Sequence, residues 1–279
     1  MLKDFIRNFF KTRYYFNPFI KYQISKLEDN IYLNRPKRET PITVSLASSR
    51  ENFNRLPITI YSLLNQSLKP DRIVLWLNEE YEDLANLPYE ISQFIKNGLD
   101  IKFVKDFKNY TKTFCALKEF PNDIIVIASD NVYYPKNWLK ELYLSYISHP
   151  EDIHINSAKS VSSQSLNSKR WKSISKPSAD FSYIPCSSSG VLYPPNCFSK
   201  EVFRKDVFLK QVQNNDSLWF WLMGIINNHK FRIVKNNYKK TIYTNIIKSL
   251  QNNTLQNNTL DQEFDNLKKL YGNNIKQKL

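Results

Sequence analysis

The sequence predicts an α/β chain built on a parallel or mixed sheet with helices on both faces. Three observations carry this expectation. Short apolar runs alternate with helical patterns between residues 41 and 128, the rhythm of successive β-α-β units. The apolar runs are continuous, as in strands buried on both faces. Hydrophobic residues make up 42% and aromatics 14% of the 279 residues, enough for a sizeable core.

The elements follow in order. Ile42 to Ala47 reads as a buried first strand, stopped by the polar Ser48, Ser49 and Arg50. From Pro57 to Gln66, Ile58, Ile60, Leu63 and Leu64 give a helix. Arg72 to Leu77 is a second strand, and Leu87 to Asn97 a helix. Ile101 to Val104 is a third strand, and Thr113 to Lys118 part of a helix. Ile124 to Ala128 is the fourth strand and the most continuous. Beyond Pro135, Trp138 to Ser148 is an amphipathic helix. His154 sits in a strand pattern and reads as a structural histidine.

The remainder is less regular. Residues 160–189 are rich in Ser and Lys and read as a long loop, a length that usually accompanies function. Within it, Lys169, Arg170 and Lys172 form a charge run, more often solvated than anion-binding. Leu218 to Asn227 is a helix. Gln251 to Leu255 repeats at once as Gln256 to Leu260, which reads as a polar insertion before a last helix, Asp261 to Tyr271. Residues 1–40 form a basic aromatic leader with Phe5, Ile6, Phe9 and Phe10 at helical spacing. It is either an interfacial helix on lipid or a helix packed on the domain. The expected division is a leader over 1–40, a main domain over 41–235 and a basic helical extension over 236–279.

Composition narrows the function classes. The net charge of +14 sits at the ends: +5 over residues 1–40, +2 over 41–229 and +7 over 230–279. A duplex binder places its basic stripe on the folded body, so no nucleic-acid partner is expected. Basic ends around a neutral body suit peripheral attraction to an anionic membrane. Only 4 Gly are present, against a Gly-rich phosphate loop. The 3 cysteines form no C-x-x-C pair, so neither disulfides nor a zinc site is expected. No apolar run reaches about 18 residues and the start lacks a signal-like apolar stretch, so a cytoplasmic chain is expected, at most peripheral on the inner membrane face.

In open α/β sheets the ligand lies beyond the carboxyl ends of the strands. Ser48 to Arg50, Asn78 to Glu80, Lys105 to Asp106 and Ser129 to Asn131 fall at such ends. Asp130 at the end of the most continuous strand is a natural ligand for a hard cation and a diphosphate. A capping turn is the structural alternative, since Ser, Asp and Asn before Pro also favour turns.

Six segments resemble, in order, one bacterial branch of the GT-A glycosyltransferases, family-2-like enzymes of capsule and lipopolysaccharide synthesis. They are Val44 to Arg50, Ser62 to Pro70, Ile73 to Leu77, Tyr110 to Lys112, Gly190 to Pro195 and Asp216 to Trp221. The resemblance implies a GT-A fold: a Rossmann-like mixed sheet flanked by helices, with helical N- and C-terminal extensions. It implies inverting transfer of a sugar from a nucleotide-sugar donor, with UDP as the nucleotide, to a glycan or lipid-linked acceptor. By the same resemblance Asp216 is the catalytic base. Ser48, Arg50, Asn78, Lys112, Ser129 and Asp130 bind the donor. Gly190, Tyr193 and Trp219 line the acceptor side. Trp219 and Trp221 fall on opposite faces of a short segment, so core packing is the default for one and sugar stacking is open to the other. Asp130 and Asn131 would hold a divalent metal, Mn²⁺ or Mg²⁺.

Two departures matter. The branch shows three consecutive Asp where this chain has Ser129, Asp130 and Asn131, and two Asp where it has Asp216 and Ser217. A single carboxylate holds a cation weakly or not at all. The thinned motifs also raise a second reading, an inactive relative that binds glycan or a partner.

Overall fold

A computed structural model describes residues 18, 20–21, 23–27, 30, 32–34, 38–81, 87–161, 168, 171–174, 176–235, 242–243 and 253–279. The aromatic stripe Phe5 to Phe10, together with Lys169 and Arg170, lies outside the described residues.

The strands are β1 (Ile42–Ala47), β2 (Arg72–Asn78), β3 (Leu99–Val104), β4 (Ile124–Ile127), β5 (Val132–Tyr133), β6 (Ile153–Ile155) and β7 (Ala158–Ser160). They continue with β8 (Lys172–Ile174), β9 (Ala179–Asp180), β10 (Tyr183–Pro185), β11 (Val191–Tyr193), β12 (Phe231–Ile233) and β13 (Ile242–Tyr243). The helices are α1 (Leu56–Leu64), α2 (Tyr89–Ser92), α3 (Thr111–Glu119), α4 (Trp138–Ser148), α5 (Lys205–Gln211), α6 (Asp216–Ile226) and α7 (Asn253–Lys278).

The chain is α/β, with a mixed sheet of 8 strands in the order β3-β2-β1-β4-β11-β6-β12-β9. The first four are mutually parallel; β11 then runs antiparallel to both β4 and β6. Alternate residues face opposite layers, as the two-residue period of a strand requires. Val74, Trp76, Ile125 and Ile127 join one core cluster, with α6 and α7. Ile73, Leu75, Ile124 and Val126 join the other, with α1 and α4. Both faces are therefore covered, as the continuous apolar runs predict.

The chain order reverses between β1 and β4. From β1 the sheet grows one way to β2 and β3, and the return strand β4 adds on the other side of β1. That reversal marks the place at the carboxyl edge where open α/β sheets receive ligands.

Two expectations are corrected. Residues 160–189 are not one long loop: β7, β8 and β10 form a 3-stranded antiparallel sheet, and β9 extends the main sheet. Strands of two or three residues with Ser and Lys on them carry too little apolar pattern to be read locally; pairing makes them. Trp171, 6% exposed, anchors this region edge-on to Phe264 of α7, 5.4 Å between ring centres. The repeated Asn-Thr-Leu stretch is likewise not an insertion, since α7 begins at Asn253 and runs to Lys278, with a break at Tyr271. Phe264, Leu267 and Ile275 of α7 are buried in the same cluster as α6.

His154 lies in β6, fully buried, between Ser145 Oγ (2.9 Å from Nδ1) and the His149 carbonyl (3.1 Å from Nε2). Burial pushes its pKa down to about 3. The folded chain keeps it neutral, whereas an unfolded chain protonates it near pH ~6.5. The folded state thus binds fewer protons, and stability falls as pH drops from about 6.5 towards about 3. His154→Gln is expected to flatten that decline by roughly 3 kcal/mol between about pH 6.5 and about pH 4, read from urea unfolding. An unchanged slope assigns the acid sensitivity to another group.

Cys115 and Cys197 are buried and Cys186 is half-buried, all as free thiols. Among the described residues no helix is long and apolar enough to cross a membrane.

Candidate functional site

The site is built from the strand ends that meet at the reversal. Ser48 follows β1 and Asp130 follows β4. The Ser48 hydroxyl donates to Asp130 Oδ2 at 2.7 Å. Asn52, on the 3-10 turn after β1, donates its amide to the same oxygen at 2.9 Å. The Thr59 hydroxyl of α1 donates to the Asp130 main-chain carbonyl at 2.9 Å. The carboxylate is half-buried and links the ends of β1 and β4 through these bonds. Beside it, the Ser129 N–H donates to the Tyr134 hydroxyl at 2.8 Å.

The first turn of α3 is tied to β1 through its backbone. The Ser45 hydroxyl donates to the Lys112 carbonyl at 2.6 Å, and the Trp76 indole N–H donates to Ser45 Oγ at 2.8 Å. Lys112 stands close enough to Asp216 for its charge to favour the ionised carboxylate. Asp216 opens α6 and is 7% exposed. Burial is the larger influence and holds its carboxyl above the usual carboxylate range; Lys112 and the Ser217 N–H pull the other way. The phenols of Tyr110 and Tyr193 are pushed up by burial first and by Asp216 second. A desolvated carboxylate among two phenols and one ammonium is the environment of a tuned proton acceptor.

The other buried acids are spent on structure. Asp71 pairs with Arg38 at 2.6 Å, Asp123 with Arg72, and Asp152 with Arg232 at 2.7 Å. Among the described residues Asp130, after β4, and Asp216, at the start of α6, have no arginine ion pair.

Asn78 and Arg50 also lie at this edge. Asn78 is half-buried and closes a small turn with Glu80, at 3.1 and 3.2 Å; Arg50 is exposed. Asp130 accepts from Ser48 and Asn52 on Oδ2. Among the described residues no group of three His, Cys, Asp or Glu side chains is placed to hold a metal. The donor set therefore fits only a cation that a diphosphate largely ligates itself, the way Mg²⁺ is commonly held.

No family model matches the chain, and no curated protein matches it. Solved structures overlay in part. TarS 1-349 of S. aureus does so at 13% identity and a TM-score of 0.47, over 70% of this chain and 57% of that one. This chain thus spans little more than half of that structure. The inositol-1-phosphate CTP transferase from T. maritima gives 13% identity and a TM-score of 0.44, over 81% and 97% of the two chains. The mannosyltransferase PcManGT from Pyrobaculum calidifontis, in complex with GDP-Man and Mn²⁺, gives 12%, 0.34, 56% and 47%. Overlays this weak carry no residue role across.

The residues expected on the acceptor side are placed differently. Trp219 is fully buried, its indole N–H donating to the Val202 carbonyl at 3.1 Å and its ring meeting Phe208 and Tyr271. Trp221 is equally buried and donates to the Phe181 carbonyl at 2.7 Å. Neither ring offers a sugar a free face, because α6 is apolar all round and sits between the sheet and α7. Tyr193 is 3% exposed, its ring against Phe198 and Phe220. Gly190 is buried at φ +108°, where a Cβ would stand 2.6 Å from Trp138 Cζ2.

One residue that shapes the candidate site escapes the sequence. Glu263 of α7 is 5% exposed and accepts from the Asn214 N–H (2.9 Å), the Asn214 side chain (3.1 Å) and the Asn215 side chain. With Tyr110 donating to the Val212 carbonyl and Asn109 to that of Asn214, it fixes the turn that delivers Asp216. No local pattern marks Glu263, whose partners lie 48 and 49 positions away.

Proposed function

We propose that the chain is a nucleotide-sugar-dependent glycosyltransferase of the GT-A type, acting on a glycan or lipid-linked acceptor with inversion. The observation that supports it best is Asp130, whose carboxylate stands at the strand reversal and is held there by Ser48 and Asn52. The donor's diphosphate would rest at that edge, with Ser48, Arg50 and Asn78 towards the nucleoside. Lys112, a compact positive charge, would offset the charge that grows on the leaving diphosphate. Asp216 would take the proton of the acceptor hydroxyl as its oxygen attacks the anomeric carbon; the carbon–oxygen bond to the diphosphate breaks and the nucleoside diphosphate departs. The ordered likeness of six segments to the capsule and lipopolysaccharide branch supports the acceptor class, and UDP is the proposed nucleotide.

A thermal-shift panel of UDP, GDP and CDP, with and without Mn²⁺, tests the reading. Binding to the folded state alone raises the melting temperature by about 2.7 kcal/mol worth of stability at ~100 times the Kd. UDP is expected to give the largest rise, Mn²⁺ to add little, and Asp130→Ala to remove the rise. A chain unmoved by all three nucleotides ends the proposal.

A second reading, a glycan-binding relative without turnover, has one observation in its favour: two neutral donors already engage the Asp130 carboxylate. Donor binding without hydrolysis or transfer would select this reading.

A further inference from the structure

A cleft of about 410 Å³ lies between α7 and the end of α5 with its following turn. Every side chain lining it is polar. Gln213 and Asn214 stand on one wall, Gln262 and Asn266 on the other, with Lys210 at the edge and the buried Glu263 behind them. Its size falls within the ~300–1,000 Å³ typical of small-molecule sites.

The chemistry of the walls selects among ligands. A carboxamide presents two donors and an acceptor side by side. A sugar hydroxyl also donates and accepts, so facing carboxamides match a polyol on both counts. Gln262 donates to Asn266 and Asn266 to the Gln211 carbonyl, so an apolar ligand would desolvate only the remaining donors and acceptors of these amides, at a cost for each. An anion would meet a single lysine and the carboxylate of Glu263. A cation would find that carboxylate already accepting from Asn214 and Asn215.

Position adds a second argument. Asn214 lines the cleft and lies on the turn that Glu263 ties down immediately before Asp216. A ligand seated here is held by the same turn that presents the proposed base. The aromatic residues expected to hold the acceptor are closed off in the core.

We propose that this cleft binds a neutral glycan and is the acceptor subsite of the transfer, a reading that rests on the function proposed above. Gln213 and Gln262 grip its hydroxyls from opposite walls, and Glu263 keeps the Asn214 wall in place.

The test pairs two measurements on the full chain. The first is binding to an array of neutral oligosaccharides, from disaccharides to fragments of bacterial surface polysaccharide, with the best hit titrated calorimetrically. The second is the thermal shift with UDP. The double variant Gln213→Ala/Gln262→Ala changes two exposed side chains. It is expected to weaken the best hit by about tenfold or more, the loss of one or two hydrogen bonds, and to leave the UDP shift unchanged. Retention of no neutral glycan, preference for anionic glycans, or a hit indifferent to the double variant overturns the inference. A chain that binds glycan in this cleft but no nucleoside diphosphate overturns the acceptor role and the transferase reading, while the cleft remains a glycan site.

Discussion

Asp216→Asn is expected to reduce sugar transfer by about 10³-fold at saturating donor, within the range for loss of a positioned general base, while the UDP-induced thermal shift stays at its wild-type value. The substitution keeps the shape and one acceptor oxygen, so α6 should still begin where it does. What it removes is the site that receives the proton. Because burial holds the Asp216 carboxyl above its ordinary range, the pH profile carries a second signature. The base works only when ionised, so the acid limb of kcat/KM should fall at a higher pH than an ordinary carboxylate near ~3.9 would give. Stability responds with the opposite sense. The folded state holds the Asp216 proton more tightly than the unfolded state, so ionising it as pH rises through that window destabilises the fold. Asp216→Asn should therefore be neutral or stabilising in urea titrations at neutral pH while transfer collapses, the trade-off typical of a strained functional group. A variant that loses stability and activity together would instead make Asp216 a structural residue.

Gly190→Ala is expected to destabilise the chain by roughly 2–5 kcal/mol, combining the positive φ with a forced overlap. Gly190 adopts φ +108° and its missing Cβ is the space filled by the Trp138 indole. That indole is locked in turn: its N–H donates to the Ser189 carbonyl at 3.0 Å, which also accepts from the Asn156 amide at 3.0 Å. Gly190 thus seats α4 against β11 rather than touching a sugar. Trp138→Leu in the same chain should recover part of the loss, since it vacates the volume but leaves the φ. Urea unfolding of the two variants decides the matter. Wild-type stability in Gly190→Ala would return Gly190 to the acceptor side.

These two residues show what a linear reading captures. The positions of Asp130 at a strand end and Asp216 at a helix start were legible because each follows or opens an apolar element whose period is unmistakable. Ser48 was legible for the same reason, and its bond to Asp130 joins two strand ends 82 residues apart. Gly190, Tyr193 and Trp219 sit in segments with a family likeness, yet the segment does not tell which side of the sheet a side chain takes. The structure buries all three.

The sequence by itself determined the four parallel strands, the helices between them and the polar residues at the strand ends. Each of those rests on local periodicity: a buried strand must be continuously apolar, and its polar residues can only gather where it ends. Only the tertiary structure decided the strand reversal that places Asp130 across from Ser48, the hairpins hidden in the Ser-rich stretch, and the grip of Glu263 on the turn before Asp216. Those depend on contacts between residues far apart in the chain, where pairing partners and burial, rather than the identity of the nearest neighbours, set the free energy.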